Sequence, residues 1–349
     1  MRELSFSWLT SAWEQLQAQR ARLPHALLIY GPPHIGKREL AEHFAQSLLC
    51  ETPAAGGHPC NTCQACRWFA DGNHPDYRAI LPEILQPADV EAGGGEAADS
   101  GPGEGTGSKS KAPSKEIKID QVRALDTFFG IGTHRGGAKV VLLYPADALN
   151  QASGNALLKT LEEPAAGTVF LLVTSRLDHL LPTIKSRAAK FAVAPPSREA
   201  ALAWLQGQGV RDPETALAEA GGAPLAAQRK AEDETAAEYR SMLLDALTAQ
   251  RTLDPVATAE KCDKAGAELL TLWLTQWVSD LILHRNAGKV RYHPQQIKAI
   301  EKLAGAADLP GLFRLYRSLL AARRMAGHPL NVRLVAEDLL IDYARVIHS

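Results

Sequence analysis

Residues 31–38, Gly31-Pro32-Pro33-His34-Ile35-Gly36-Lys37-Arg38, form a phosphate-loop pattern that is complete except at its last position. Before the loop, Ala26-Leu27-Leu28-Ile29-Tyr30 is a continuous apolar run, as in a strand buried within a parallel sheet. After it, Leu40, Ala41, Phe44, Ala45, Leu48 and Leu49 recur at helical spacing, with Arg38, Glu39, Glu42 and Gln46 opposite. Strand, loop and helix in this order predict an α/β domain. In such a loop the backbone N–H groups around Gly31 and Gly36 cradle phosphate, and Lys37 reaches the terminal phosphates. A hydroxyl residue normally follows the lysine and holds Mg2+. Arg38 stands there and cannot ligate a cation, so hydrolysis is not expected while nucleotide binding stays open. A glycine-rich turn that binds nothing is the plain alternative.

The chain is 349 residues long, enough for about two or three domains with cores of their own. Its net charge of −1 gives no bulk attraction for nucleic acid, so any such contact has to be local. The N-terminus has no apolar segment of signal-peptide length. The most apolar stretch, residues 269–283, is interrupted by Thr271, Gln276 and Asp280, so a cytoplasmic protein without a membrane partner is expected.

Cysteine spacing carries the sharpest chemical signal. Cys50, Cys60, Cys63 and Cys66 follow a C-x9-C-x2-C-x2-C pattern, in which tight turns bring three thiolates around one centre and the first arrives from a helix end. The expected ligand is structural zinc. Iron–sulfur ligation is the alternative metal chemistry, and unligated thiols are the plain reading. His58 and His74 lie nearby in sequence and are expected at the surface.

From about 86 to 115 the chain turns Gly-, Ser- and Lys-rich, a composition that buries too little apolar surface to order itself, and a disordered insertion is expected there. A helix should resume near Asp120, read as its cap. Lys139-Val140-Val141-Leu142-Leu143 is the next buried strand, but it runs into Tyr144-Pro145-Ala146-Asp147 where a phosphate-loop ATPase carries its metal-binding and water-polarising acids. Asp147 falls three residues late for that role. Residues 155–164 form an amphipathic helix ended by Pro164. Residues 169–173 form a further strand closing on Thr174, a polar residue placed to face the ligand crevice of an open sheet. A short strand, residues 191–193, follows Ser186-Arg187.

Taken together, residues 24–29, the phosphate loop, the four-cysteine module, His74-Pro75-Asp76, residues 155–164 and Ser186-Arg187 resemble the clamp-loader branch of the AAA+ ATPases. The resemblance implies an α/β plus all-α chain. A RecA-like parallel-sheet AAA+ domain at 1–195 carries an inserted zinc module at 50–66; a small helical lid follows at 196–232 and a helical collar at 233–349. It implies that Arg187, with Ser186, acts as an arginine finger in trans on a neighbour's ATP, while Gly31, Gly36, Lys37 and Thr174 line a degenerate nucleotide site. Gly221-Gly222-Ala223-Pro224 stands where a motor subunit carries its nucleotide-sensing lid arginine. The implied protein is a stationary member of the loader within a DNA polymerase holoenzyme, without ATPase activity of its own. Its implied partners are motor subunits of gamma/tau type and a delta subunit in a hetero-pentameric ring, the sliding clamp, and primed DNA through the complex. An active motor of the same family and a zinc-containing interaction adaptor are the alternatives. In the C-terminal part, the charged run at 229–234 is expected to be a linker. Arg314, Arg317, Arg323 and Arg324 are read as a solvated helix face.

Overall fold

The computed structural model describes residues 6–86, 113–134, 137–249, 253–326 and 331–347. The expected insertion at 86–115 lies, from 87 to 112, outside the described residues. The chain divides into two compact units, Met1–Pro196 and Ser197–Ser349.

In the first unit, helix α1 (Thr10–Gln19) precedes strand β1 (Ala26–Tyr30), helix α2 (Lys37–Leu49) and the short helix α3 (Gln64–Ala70). Strand β2 (Tyr77–Ile80), helix α4 (Ile119–Gly130), strand β3 (Lys139–Leu143), helix α5 (Gln151–Glu162), strand β4 (Thr168–Thr174), helix α6 (Pro182–Arg187) and strand β5 (Ala189–Ala192) complete it. The strands form one five-stranded parallel sheet in the order β2-β3-β4-β1-β5. Every residue of β3 and β4 is buried, which is why both read as unbroken apolar runs rather than as alternating ones. Tyr30 pairs with Thr174 at the C-terminal ends of β1 and β4, so the loop after β1 and the residues after β4 emerge side by side. This is the edge on which open α/β sheets carry their ligands.

Some local expectations change. Strand β2 follows the His-Pro-Asp motif unannounced, because only Ile80 of its four residues is buried and the apolar pattern is too weak to read. Helix α4 starts one residue before Asp120. Its N-cap is Lys118, whose N–H is taken by the Gln121 side chain at 2.8 Å, and Asp120 sits in the first turn. The run at 229–234 is helical up to Glu232, and only Asp233 separates it from the next helix, whose Ala236 N–H it caps at 3.0 Å.

The second unit is all helical: α7 (Arg198–Gly207), α8 (Pro213–Glu219), α9 (Pro224–Glu232), α10 (Glu234–Thr248), α11 (Pro255–Cys262), α12 (Ala267–Ala287), α13 (Ile297–Ala306), α14 (Leu309–Met325) and α15 (Val332–Ile347). Ala201, Leu205, Leu217 and Ala227 make a small core among α7, α8 and α9. A larger core is built around α12, whose Leu270, Trp273, Leu274, Trp277, Val278 and Leu281 are buried on more than one face, as in a helix packed inside a bundle. Asp280, fully buried on α12, accepts N–H bonds from Arg291, Tyr292 and His293 and a ring contact from His293 Nδ1 at 2.9 Å. That carboxylate fixes the loop after α12. Arg240 pairs with Glu219, whose carbonyl accepts from Lys230 Nζ at 2.9 Å and Gln276 Nε2 at 3.0 Å, so polar bonds join the small core to the large one. On α14, Arg314 pairs with Asp308 at 3.2 Å.

Candidate functional site

The phosphate loop is held from outside by the N-terminal segment. Trp8 donates its indole N–H to the Ile35 carbonyl at 2.9 Å, and Phe6 stacks on Trp8. Gly36 caps α2 with φ +90, and a Cβ there would lie 2.7 Å from the Phe6 ring, so both the conformation and the close packing require glycine. Lys37 is buried, and its ammonium donates to the Pro32 carbonyl and, at 2.9 Å, to Ser175 Oγ. Burial lowers it to about 8, with Asp147 and Glu39 pulling the other way. Arg38 turns away along its own helix, pairing with Glu42 at 2.8 Å and lying over the Tyr144 ring.

Gly31, Gly36, Lys37 and Thr174 come together at the C-terminal edge of the sheet, as the order of motifs predicts. Three residues join them that spacing alone did not indicate. Beyond β3 the chain makes a single 3-10 turn, Ala146–Ala148, which brings Asp147 back toward the loop. Its carboxylate accepts 2.6 Å and 2.9 Å bonds from Thr174 Oγ1 and Arg176 Nε, and Ser175 between them binds Lys37. The signal was the polar run Thr174-Ser175-Arg176 at a strand end. Chemically, the lysine and the acid are both satisfied by neighbours of their own chain.

The cysteine module lies beyond the C-terminus of α2. The sulfurs of Cys50, Cys60, Cys63 and Cys66 all lie within 4.8 Å of one another, with Cys50–Cys63 at 3.9 Å and Cys60–Cys66 at 4.0 Å. Zn–S bonds of about 2.3 Å in a tetrahedron put the sulfurs about 3.8 Å apart, so the set fits such an ion. Backbone N–H groups of Cys60, Cys63 and Cys66 point at the sulfurs of Cys50, Cys60 and Cys63. Hydrogen bonds from Thr52 and Thr62 hold the Cys60 thiol down to about 5, whereas burial pushes Cys50 and Cys66 up. A cation is what would let the buried pair ionise. The module docks on α1 and α2: Trp13 Nε1 donates to the Gly56 carbonyl at 3.0 Å, His58 stacks on Trp13, and His43 meets His58 at 3.0 Å between ring nitrogens. His58 is half-buried in this stack. His74, contrary to expectation, is buried, its Nδ1 accepting the Asp76 N–H at 3.1 Å where the His-Pro-Asp motif turns into β2.

Ser186 and Arg187 end α6. Arg187 is half-exposed, with Nη1 donating to the Thr183 carbonyl at 3.1 Å and to Ser186 Oγ at 3.4 Å, and Nη2 paired with Glu162, the last residue of α5.

A phosphate loop at the C-terminal edge of a five-stranded parallel sheet, followed after its helix by a four-thiol module whose geometry could hold a metal ion, defines an AAA+-type α/β subunit. Residues 9–197 match the family model described as DNA polymerase III, delta subunit, and residues 234–345 match its C-terminal model. DNA polymerase III subunit delta' of Pseudomonas aeruginosa is 38% identical over 80% of this chain and 78% of its own length. The Yersinia pestis protein of that name is 31% identical over 96% and 94%, and the Escherichia coli K12 one 35% identical over 57% and 52%. The chain belongs to the delta' subunit family of DNA polymerase III. Among the described residues no helix is long and apolar enough to cross a membrane.

Proposed function

We propose that this chain is the non-hydrolysing member of a clamp loader, lending Arg187 in trans to the ATP held by a neighbouring motor subunit of gamma/tau type. The observation that carries the reading is a division of labour within the first unit. Its own phosphate loop has Arg38 in place of the metal-binding hydroxyl, Lys37 bound to Ser175 and Asp147 bound to Thr174. Arg187, by contrast, presents a fixed guanidinium at the exposed end of α6. A guanidinium spreads charge over transferring phosphoryl oxygens and acts from outside the pocket that holds the nucleotide. Gly31, Gly36, Lys37 and Thr174 then serve as a retained scaffold, and ATP need not be turned over there.

In this reading Cys50, Cys60, Cys63 and Cys66 hold a structural zinc ion; a multi-iron cluster, whose thiolates bind separate irons, calls for a wider set. Residues 196–232 act as a lid and 233–349 as the collar that joins motor and delta subunits into a hetero-pentameric ring. That ring opens the sliding clamp and places it on primed DNA in the cytoplasm. The test is reconstitution of the complex with wild-type chain and with Arg187→Ala, followed by DNA- and clamp-stimulated ATP hydrolysis. Assembly should survive while the rate falls by roughly tenfold or more, the loss of a charge-stabilising group. An unchanged rate removes Arg187 from the reaction.

A further inference from the structure

We propose that Glu162 is the positioning residue for Arg187: it holds the guanidinium in the orientation that meets a neighbour's phosphates, and it does so as part of the arginine-finger reading above. The two side chains come from separate elements. Glu162 is the last residue of α5 and Arg187 the last of α6, and the carboxylate binds Nη2 while Thr183 O and Ser186 Oγ take Nη1. Acceptors from two helices therefore fix both ends of the guanidinium plane, and its further N–H donors stay available for phosphate oxygens.

The frame behind this pair is rigid. Asn150 caps α5 through the Ser153 N–H at 2.9 Å, and Leu157, Leu161, Leu180 and Ile184 share one core. Helix α5 approaches α6 so closely that a Cβ on Gly154 would lie 2.4 Å from Leu181 Cδ1. A site built on packed helices holds its side chains more closely than one built on loops.

Charge placement points the same way. A carboxylate at the C-terminus of a twelve-residue helix faces the negative end of the helix dipole, so the charge of Glu162 is not placed to stabilise α5. Its favourable interaction is with Arg187. Both side chains are solvent-accessible, at 35% for Arg187 and 49% for Glu162, and exposed ion pairs are weak. Such a pair cannot withhold an arginine from a triphosphate. It can select one rotamer of a long side chain that otherwise samples many.

The test uses the reconstituted complex and full-length chain. Glu162→Ala should lower kcat for DNA- and clamp-stimulated ATP hydrolysis by roughly three- to tenfold with KM for ATP little changed, because misorientation costs transition-state contact. Glu162→Gln keeps an oxygen acceptor and should restore the rate to within about twofold of wild type. In an Arg187→Ala background, Glu162→Ala should add nothing. A Glu162→Ala rate equal to or above wild type overturns the proposal, the latter outcome marking a latch. A Gln variant as slow as Ala, or a full additional loss in the Arg187→Ala background, also overturns it. If Arg187→Ala itself leaves the rate unchanged, the arginine-finger reading fails first; if Arg187→Ala is slow and Glu162→Ala is not, only the positioning role fails.

Discussion

Thr174 donates its hydroxyl to Asp147 at 2.6 Å, and this bond ties the C-terminal end of β4 to the 3-10 turn that follows β3. With Arg176 on the other carboxylate oxygen, Asp147 has both oxygens engaged and only a small exposed fraction of side chain, 6%.

Restoring the missing hydroxyl therefore does not restore an ATPase. Arg38→Thr supplies a metal ligand at the helix start, but the acids expected after β3 are still Tyr144 and Pro145, and Asp147 remains bound to Thr174 and Arg176. The isolated Arg38→Thr chain should turn over ATP no faster than Lys37→Ala does. A rate more than about tenfold above that control means that Asp147 can act as the metal-binding acid after all.

The same residues show how far the sequence could be read. Strand β1, the loop and α2 were legible because burial on both sheet faces leaves an unbroken apolar run and the helix keeps one apolar stripe. The four cysteines were legible because chelation demands short spacings. Asp147 was not, since its distance from the strand end argued against it and a single 3-10 turn reversed that distance. Glu162 escaped notice for another reason: its partner, Arg187, is 25 positions further on in the numbering and belongs to a different helix. Asp280 looked like an interruption of an apolar helix, whereas it is the acceptor that orders the loop at 291–293.

Removal of the metal should unfold the module rather than leave a local scar. A chelator takes the proposed ion from all four thiols and Cys63→Ser leaves only three to hold it, and structural zinc contributes several kcal/mol to the fold that holds it. Elemental analysis should find zinc in near-stoichiometric amount in the wild type and a marked loss in Cys63→Ser, together with a melting temperature lower by roughly 5 °C or more. Iron in place of zinc, or an unchanged melting curve, counts against the structural ion.

Acid should weaken the docking of this module through His43. Burial, and after it the neighbouring His58, lowers His43 from the usual 6.5 to about 4. The folded state thus keeps it neutral while the unfolded chain takes up a proton below 6.5. Its contribution is fully present above pH 6.5 and is lost as pH falls toward 4. Between pH 7 and pH 5 the loss is on the order of 1 to 2 kcal/mol. The cysteines also take up protons in acid, so the variant to compare is His43→Phe, which keeps the ring against Trp13 and removes the titration. Its stability should fall less steeply than that of the wild type over this range. Parallel slopes in denaturant titrations at the two pH values would exclude His43 as the titrating group.

In the helical unit, a two-bond chain through one hydroxyl ties three helices. Trp277 on α12 donates its indole N–H to Tyr343 Oη at 2.9 Å, and Tyr343 on α15 donates onward to the Leu247 carbonyl of α10 at 3.0 Å. Both rings are almost wholly buried, and burial pushes the Tyr343 phenol up, which keeps it protonated and able to donate. Tyr343→Phe preserves nearly all of the packing but leaves a buried N–H and a buried carbonyl without this partner. Leaving such groups unsatisfied costs about 2 to 4 kcal/mol together, more than the loss of an exposed hydrogen bond. Chemical denaturation of the full chain, followed by the helical signal in far-ultraviolet circular dichroism so that every variant is read alike, should show that loss in the transition of residues 197–349. Trp277→Phe combined with Tyr343→Phe should cost less than the sum of the single changes, because both remove the same bond. Full additivity would mean that the hydroxyl serves packing alone.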